Sequence, residues 1–97
     1  MSVVVVLPSQ LRAMVGGRGR IEVPMPAGEA SVTVAATFDA LRAAYPSVYD
    51  RIVTERRELR PHVTVFVGPH DIRWSGGFDA VVPDGTEVIV LPSVSGG

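Results

Sequence analysis

Residues 33–46 read TVAATFDALRAAYP, and the rest of the chain is arranged around them. Val34, Phe38, Leu41 and Tyr45 recur at steps of four, three and four, which puts them on one face of a helix. Asp39 and Arg42 fall on the outer face. Thr33 is placed to cap the helix start, because its hydroxyl can accept from an unpaired first-turn N–H. Pro46 stops the helix, since the residue before a proline avoids the α region. A helix with one apolar face needs an apolar surface beneath it, so the segments on either side must supply a sheet.

Upstream, residues 3–7 (VVVVL) form a β-branched run ended by Pro8. Its continuity predicts a strand near the sheet centre, buried on both faces. Gly16, Gly17, Arg18 and Gly19 then read as a turn between antiparallel strands. They do not make a dinucleotide-binding loop, because the third glycine and the following helix are missing. Arg20-Ile21-Glu22-Val23 alternates charge with apolar residues as a second strand, and residues 24–28 (PMPAG) end it. Downstream, Val48 and Ile52 predict one further short turn. Residues 55–60 (ERRELR) read as a solvated loop of mixed charge. Residues 62–67 (HVTVFV) are the clearest strand, closed by Gly68-Pro69. Residues 71–74 (DIRW) predict a short edge strand, followed by the loop Ser75-Gly76-Gly77. Pro83-Asp84-Gly85 is a turn signal, and residues 87–91 (EVIVL) make the last strand, ended by Pro92.

The order is hairpin, helix, then two or more strands, which gives an α+β domain. A right-handed crossover over the helix sets the first strand parallel to a later one. The expected fold is therefore a single β-grasp, ubiquitin-like domain spanning residues 1–97. It has a mixed sheet of four to five strands, one main helix on one face, and residues 92–97 as a flexible tail.

Composition removes several chemistries. The chain has 97 residues, a net charge of −1, no cysteine, and nine basic residues that are all arginine. Without cysteine there are no disulfides, thiolate metal sites or cysteine nucleophiles. Without lysine there is no Schiff base and no P-loop lysine. The charge balance offers no nucleic-acid footprint. No membrane-spanning or targeting segment is visible, so a cytoplasmic location is expected. His62 and His70 flank a strand, and a two-histidine site would need a third ligand for which only Asp71 lies close, so no metal is expected. Asp71, Asp79 and Asp84 read as turn residues, and no serine sits in a nucleophile elbow. Trp74 is either a core plug or a half-exposed contact residue, with the core favoured.

The C-terminal stretch Pro92-Ser93-Val94-Ser95-Gly96-Gly97 is where chemistry concentrates. Glycines without Cβ let a backbone pass down a narrow channel and bring a carboxylate into another protein's active site. Pro92 stiffens the base of such a tail, and Val94 offers an apolar anchor. A carboxylate is a poor electrophile. Adenylation by ATP would activate it, and a sulfur donor would then convert it to a thiocarboxylate.

Several of these pieces occur together in one known family. Val65-Phe66-Val67, Asp71-Ile72-Arg73, Ser75-Gly76-Gly77-Phe78, the run from Asp84 to Pro92 and the Pro-x-Val-x-Gly-Gly ending resemble the ThiS/MoaD family of ubiquitin-like sulfur carriers. The likeness runs over nearly the whole chain. Gly68-Pro69-His70 departs from it where relatives often carry asparagine, and so do Ser93 and Ser95 where small apolar residues are common. The resemblance implies a carrier, not an enzyme, that binds no cofactor itself while its activating partner consumes ATP. An E1-like enzyme of the ThiF/MoeB type would adenylate Gly97, with Gly96 permitting access and Pro92 and Val94 guiding the tail. A donor such as a rhodanese-type protein would supply sulfur, and an acceptor enzyme such as a cysteine synthase or another biosynthetic synthase would take it. The apolar sheet face opposite the helix would dock partners, with Phe66 and Phe78 as candidates, although Phe66 is favoured as core. Cysteine, thiamine, thionucleoside or secondary-metabolite synthesis are the open destinations. Arg73-Trp74-Ser75-Gly76-Gly77 is similar to the Arg-aromatic-Ser-Gly-Gly of cysteine-synthesis carriers and favours that one. The alternatives are the small subunit of molybdopterin synthase, bound to its large subunit, a lysine-directed protein modifier, and a β-grasp binding module with incidental terminal glycines.

Overall fold

Strand β1 (Ser2–Val6) carries the valine run, which fits an extended pleat well. The structure is a computed structural model that describes residues 2–25 and 32–92. The expected end of the second strand at residues 26–28 lies outside the described residues. After β1 the chain makes a short helix α1 (Ser9–Arg12) and a 3₁₀ turn (Ala13–Val15), neither of which the sequence pattern indicated. They bury Leu11 and Val15. Gly16 and Gly17, at φ +69° and +84°, then reverse the chain in a backbone region that other residues rarely adopt. β2 (Arg20–Pro24) returns antiparallel to β1, from Val6↔Arg20 to Ser2↔Pro24.

A two-residue strand β3 (Val32–Thr33) leads into α2 (Val34–Ala44). Thr33 caps it as its position predicted: the Ala36 N–H donates to Thr33 Oγ1 at 3.1 Å. Val34, Phe38 and Leu41 are buried, while Asp39 and Arg42 face outward. The buried Thr37 hydroxyl donates back to the Thr33 carbonyl at 3.0 Å, so no polar group is stranded there. Pro46 ends α2 but also starts α3 (Pro46–Ile52), because proline's fixed φ suits a first helical turn. The expected single turn is thus a seven-residue helix that buries Val48, Tyr49 and Ile52.

β4 (Val63–Val67) and β5 (His70–Asp71) form a hairpin. The expected edge strand stops after Asp71. Ile72–Trp74 is a 3₁₀ turn, started when the Arg73 N–H donates to the Asp71 carboxylate at 2.9 Å. With about three residues per turn, burying Ile72 swings Trp74 away from the core. Trp74 is 84% exposed, which corrects its expected core position. A third 3₁₀ turn (Gly77–Asp79) and β6 (Val81–Val82) follow, and β6 pairs with β3 in a small ribbon that periodicity did not reveal. Gly85 (φ +80°) closes the predicted turn, with the Thr86 N–H donating to the Pro83 carbonyl at 3.0 Å. β7 (Val88–Pro92) is the last element among the described residues.

The main sheet runs β2-β1-β7-β4-β5. Val5↔Val88 and Val6↔Ile89 are parallel, as the crossover required, and the other pairs are antiparallel. The β-grasp architecture expected from the sequence is therefore present. Val3, Val5, Ile21, Val23, Val65, Val67, Val88 and Val90 point to the helix side and are buried with Leu7, Phe38, Leu41 and Ile52. Each such apolar side chain contributes roughly 1.5–3 kcal/mol when fully buried. One expectation about β1 is corrected. Val4 and Val6 are only partly buried, so the strand is not buried on both faces.

Candidate functional site

The site is built where β7 ends. β7 lies between β1 and β4, and Val88 and Val90 are almost fully buried beneath α2. Alternation turns Ile89 and Leu91 to the opposite, open face. Ile89 stands beside Val6 on one side and Phe66 on the other. That row continues outward to Arg20 beside Val6 and to Asp71 beside Phe66. The open face therefore has an apolar centre of Val4, Val6, Phe66, Ile89 and Leu91, with charged residues at the margins. Arg20 pairs with Glu87 on one margin. On the other, Arg73 Nη2 donates to Thr64 Oγ1 at 3.4 Å and lies 3.8 Å from the Asp71 carboxylate. Thr64 faces Leu91 in the ladder, so Arg73 reaches the edge of the strand's end.

Leu91 is 41% exposed, more than any other apolar residue of this face. Pro92 follows, exposed, as the partner of Val63. Proline has no N–H to donate to a ladder, so this last described rung is a weak one. Val94, Gly96 and Gly97 lie outside the described residues.

Phe66 and Phe78, paired in the sequence expectation, are separated by the structure. Phe66 is partly buried on the open face rather than in the core. Phe78 lies on the other side of the sheet, where its ring meets Phe38 edge-on with centroids 5.7 Å apart at 83°. This corrects its place among the open-face candidates: the 3₁₀ turn at residues 77–79 folds it against α2. The sequence reading missed Leu91 and Ile89, although the alternation around the buried Val88 and Val90 carried the signal.

The remaining surface offers little chemistry. Arg57 bonds Asp39 at 2.7 Å, and that hydrogen bond and charge raise the guanidinium pKa further above its ordinary value. Among the described residues, no three His, Asp or Glu side chains gather into a metal site. No described helix is long and apolar enough to cross a membrane.

Against known proteins, the chain is 31% identical to the sulfur carrier protein CysO of Mycobacterium tuberculosis over a 99-residue alignment that covers all of both chains. The chain belongs to the CysO family of sulfur carrier proteins. CysO of Amycolatopsis orientalis, solved in a complex with BexX, superposes with a TM-score of 0.79 at 33% identity, covering 98% of this chain and 99% of that one. The small archaeal modifier protein SAMP1 of Haloferax volcanii gives 0.75 at 25% identity, covering 100% of both. No family model matches the chain. Members of the CysO family are carriers and not themselves enzymes.

Proposed function

We propose that this carrier moves sulfur on the main-chain carboxylate of Gly97, in the cytoplasm, and that its open sheet face docks the proteins that load and unload it. One observation supports this most: the central strand β7 ends at an exposed Leu91-Pro92 beside the apolar patch of Ile89, Phe66 and Val6. A partner seated on the patch receives the tail at a fixed point. In the first step a Gly97 carboxylate oxygen attacks the α-phosphorus of ATP, and pyrophosphate leaves. Sulfide, or a persulfide on a rhodanese-type donor, then attacks the acyl carbon. The bond to the adenylyl oxygen breaks and AMP departs. The persulfide route also needs a thiol reductant to release the carrier. Gly96 gives access to the activating site, and Pro92 and Val94 guide the tail.

The favoured acceptor is a cysteine-forming synthase. The Arg73-Trp74-Ser75-Gly76-Gly77 stretch and the identity to CysO support it over a molybdopterin synthase subunit. The likeness to SAMP1 keeps protein modification as a second role for the same activated end. The test is to incubate the carrier with an E1-like activating enzyme, ATP and sulfide, and to take the intact mass. Replacement of one oxygen by sulfur, lost on deleting Gly97, is the expected result. An unchanged mass with activating enzymes that load other family members overturns the proposal.

A further inference from the structure

The proposal rests on Gly97 as an activated acyl group, and such a group reacts with amines. The amine nitrogen bonds to the acyl carbon, the carbon–oxygen bond to the adenylyl phosphate breaks, AMP leaves, and the amine proton passes to water. Every molecule of the carrier is also a potential target. The chain has no lysine and no cysteine, and its nine cationic side chains are all arginine. All nine are exposed, in the three α-helices, the strand β2, a 3₁₀ turn and the loops. A lysine at any of them would present a free amine to solvent. Guanidinium groups stay protonated and do not act as nucleophiles near neutral pH. Serine, threonine and tyrosine hydroxyls are weak nucleophiles without an activating base. His62 and His70 form only acyl-imidazoles, which water reverses.

In a chain that starts at Met1 the α-amine also remains, and topology removes it from reach. β1 and β7 are parallel with Val5 beside Val88. Ser2 therefore stands three residue levels before Val88, and Pro92 four levels after it. At roughly 3.3 Å per level, about 23 Å of sheet separates the two ends. Residues 93–97 span at most about 17 Å when fully extended. One more residue on the amine side shortens the gap to no less than about 19 Å.

We propose that the carrier is inert to its own activated end. No side chain of the domain captures the Gly97 acyl carbon in a stable bond within one molecule, so the acyl group persists for a partner's nucleophile. Any protein adduct it forms has no side-chain amine on which a second copy can be added.

An enzyme-free experiment keeps this separate from the proposed function. The 97-residue chain is prepared as a Gly97 α-thioester by thiolysis of an intein fusion, then followed by intact mass at low and high protein concentration. Slow hydrolysis alone is expected at low concentration. At high concentration a head-to-tail dimer is expected, and acetylating the α-amine should abolish it. Arg73→Lys places an amine beside the end of β7, because Arg73 reaches Thr64, which faces Leu91. That variant should cyclise with loss of the thiol, at a rate independent of concentration, into a product resistant to hydroxylamine. A hydroxylamine-resistant internal adduct in the wild-type chain overturns the proposal. So does an Arg73→Lys variant that hydrolyses no differently from wild type, since the missing lysines would then protect nothing. Failure of enzymatic sulfur loading would count against the proposed function and leave these outcomes readable.

Discussion

Replacing Phe78 with alanine should destabilise the domain and leave partner docking intact, and replacing Phe66 should do the reverse. The difference comes from where the two rings sit. Phe38 is 1% exposed in the middle of α2, and Phe78 is partly buried with its ring edge-on to it. A fully buried phenylalanine changed to alanine costs about 3–5 kcal/mol, so a partly buried one should cost about 2 kcal/mol. In a domain of this size that lowers Tm by roughly 8–16 °C. The ring–ring contact itself is isolated by a double-mutant cycle with Phe38→Leu and Phe78→Leu, where leucine keeps most of the apolar volume. Coupling of about 0.5–1.5 kcal/mol is expected for edge-to-face aromatics. Urea unfolding followed by circular dichroism is the assay, because the exposed Trp74 reports poorly on the core. Additive single effects would show that the rings do not interact. A Phe78→Ala variant with unchanged Tm and weakened binding to an activating enzyme would place Phe78 at the interface and refute the assignment.

Thr33→Ala removes the acceptor for the Ala36 N–H and should cost about 1 kcal/mol by urea unfolding, while Thr33→Ser should recover most of it. Gly85→Ala meets no atom within 4 Å, so its loss of roughly 1–2 kcal/mol should come from the left-handed backbone alone, and Gly85→Asn should be milder. Trp74 should emit as a solvated indole and be quenched freely by iodide in the native state, and Trp74→Ala should leave the unfolding free energy within about 0.5 kcal/mol of wild type. Ile89→Glu and Leu91→Asp put charge on the open face, where circular dichroism should stay native while sulfur loading by an E1-like enzyme slows at least tenfold.

The parts of the fold that were legible are those in which one local signal decides the outcome. Thr33, the 4-3-4 spacing and Pro46 mark α2 because capping, amphipathicity and proline sterics all agree there. The parallel β1–β7 pair followed from the handedness of a crossover. Elements shorter than a helical or strand period were not legible. α1 spans four residues and β3 and β6 two each, and tertiary burial of Leu11, Val32 and Val82 fixes them more than propensity does. Trp74 went astray because a lone aromatic carries no period. Its direction depends on the 3₁₀ turn begun by Asp71, and DIRW reads equally well as a strand. Phe66 and Phe78 are alike in the sequence, but strand alternation sends one to the open face and a 3₁₀ turn sends the other to the helix.

What the sheet contributes to the proposed carrier is a graded restraint along its last strand. β7 is held on both sides at Val88 and Ile89, by β1 and β4 together. From Val90 onward only β4 continues, through Val65, Thr64 and Val63. Pro92 then removes a donor at the last rung. Restraint therefore falls in steps along the strand: two neighbours, then one, then a proline. Pulling on the strand's end would open first the outermost single-sided pairs, at Leu91 and Pro92, and leave Val88 and Val90 in the core. Extending the β1–β7 pairing past Leu7 would stiffen Leu91, but Pro8 has no N–H with which to pair. The early departure of β1 into α1 thus leaves the end of β7 free to adapt to a partner while the rest of the strand stays anchored.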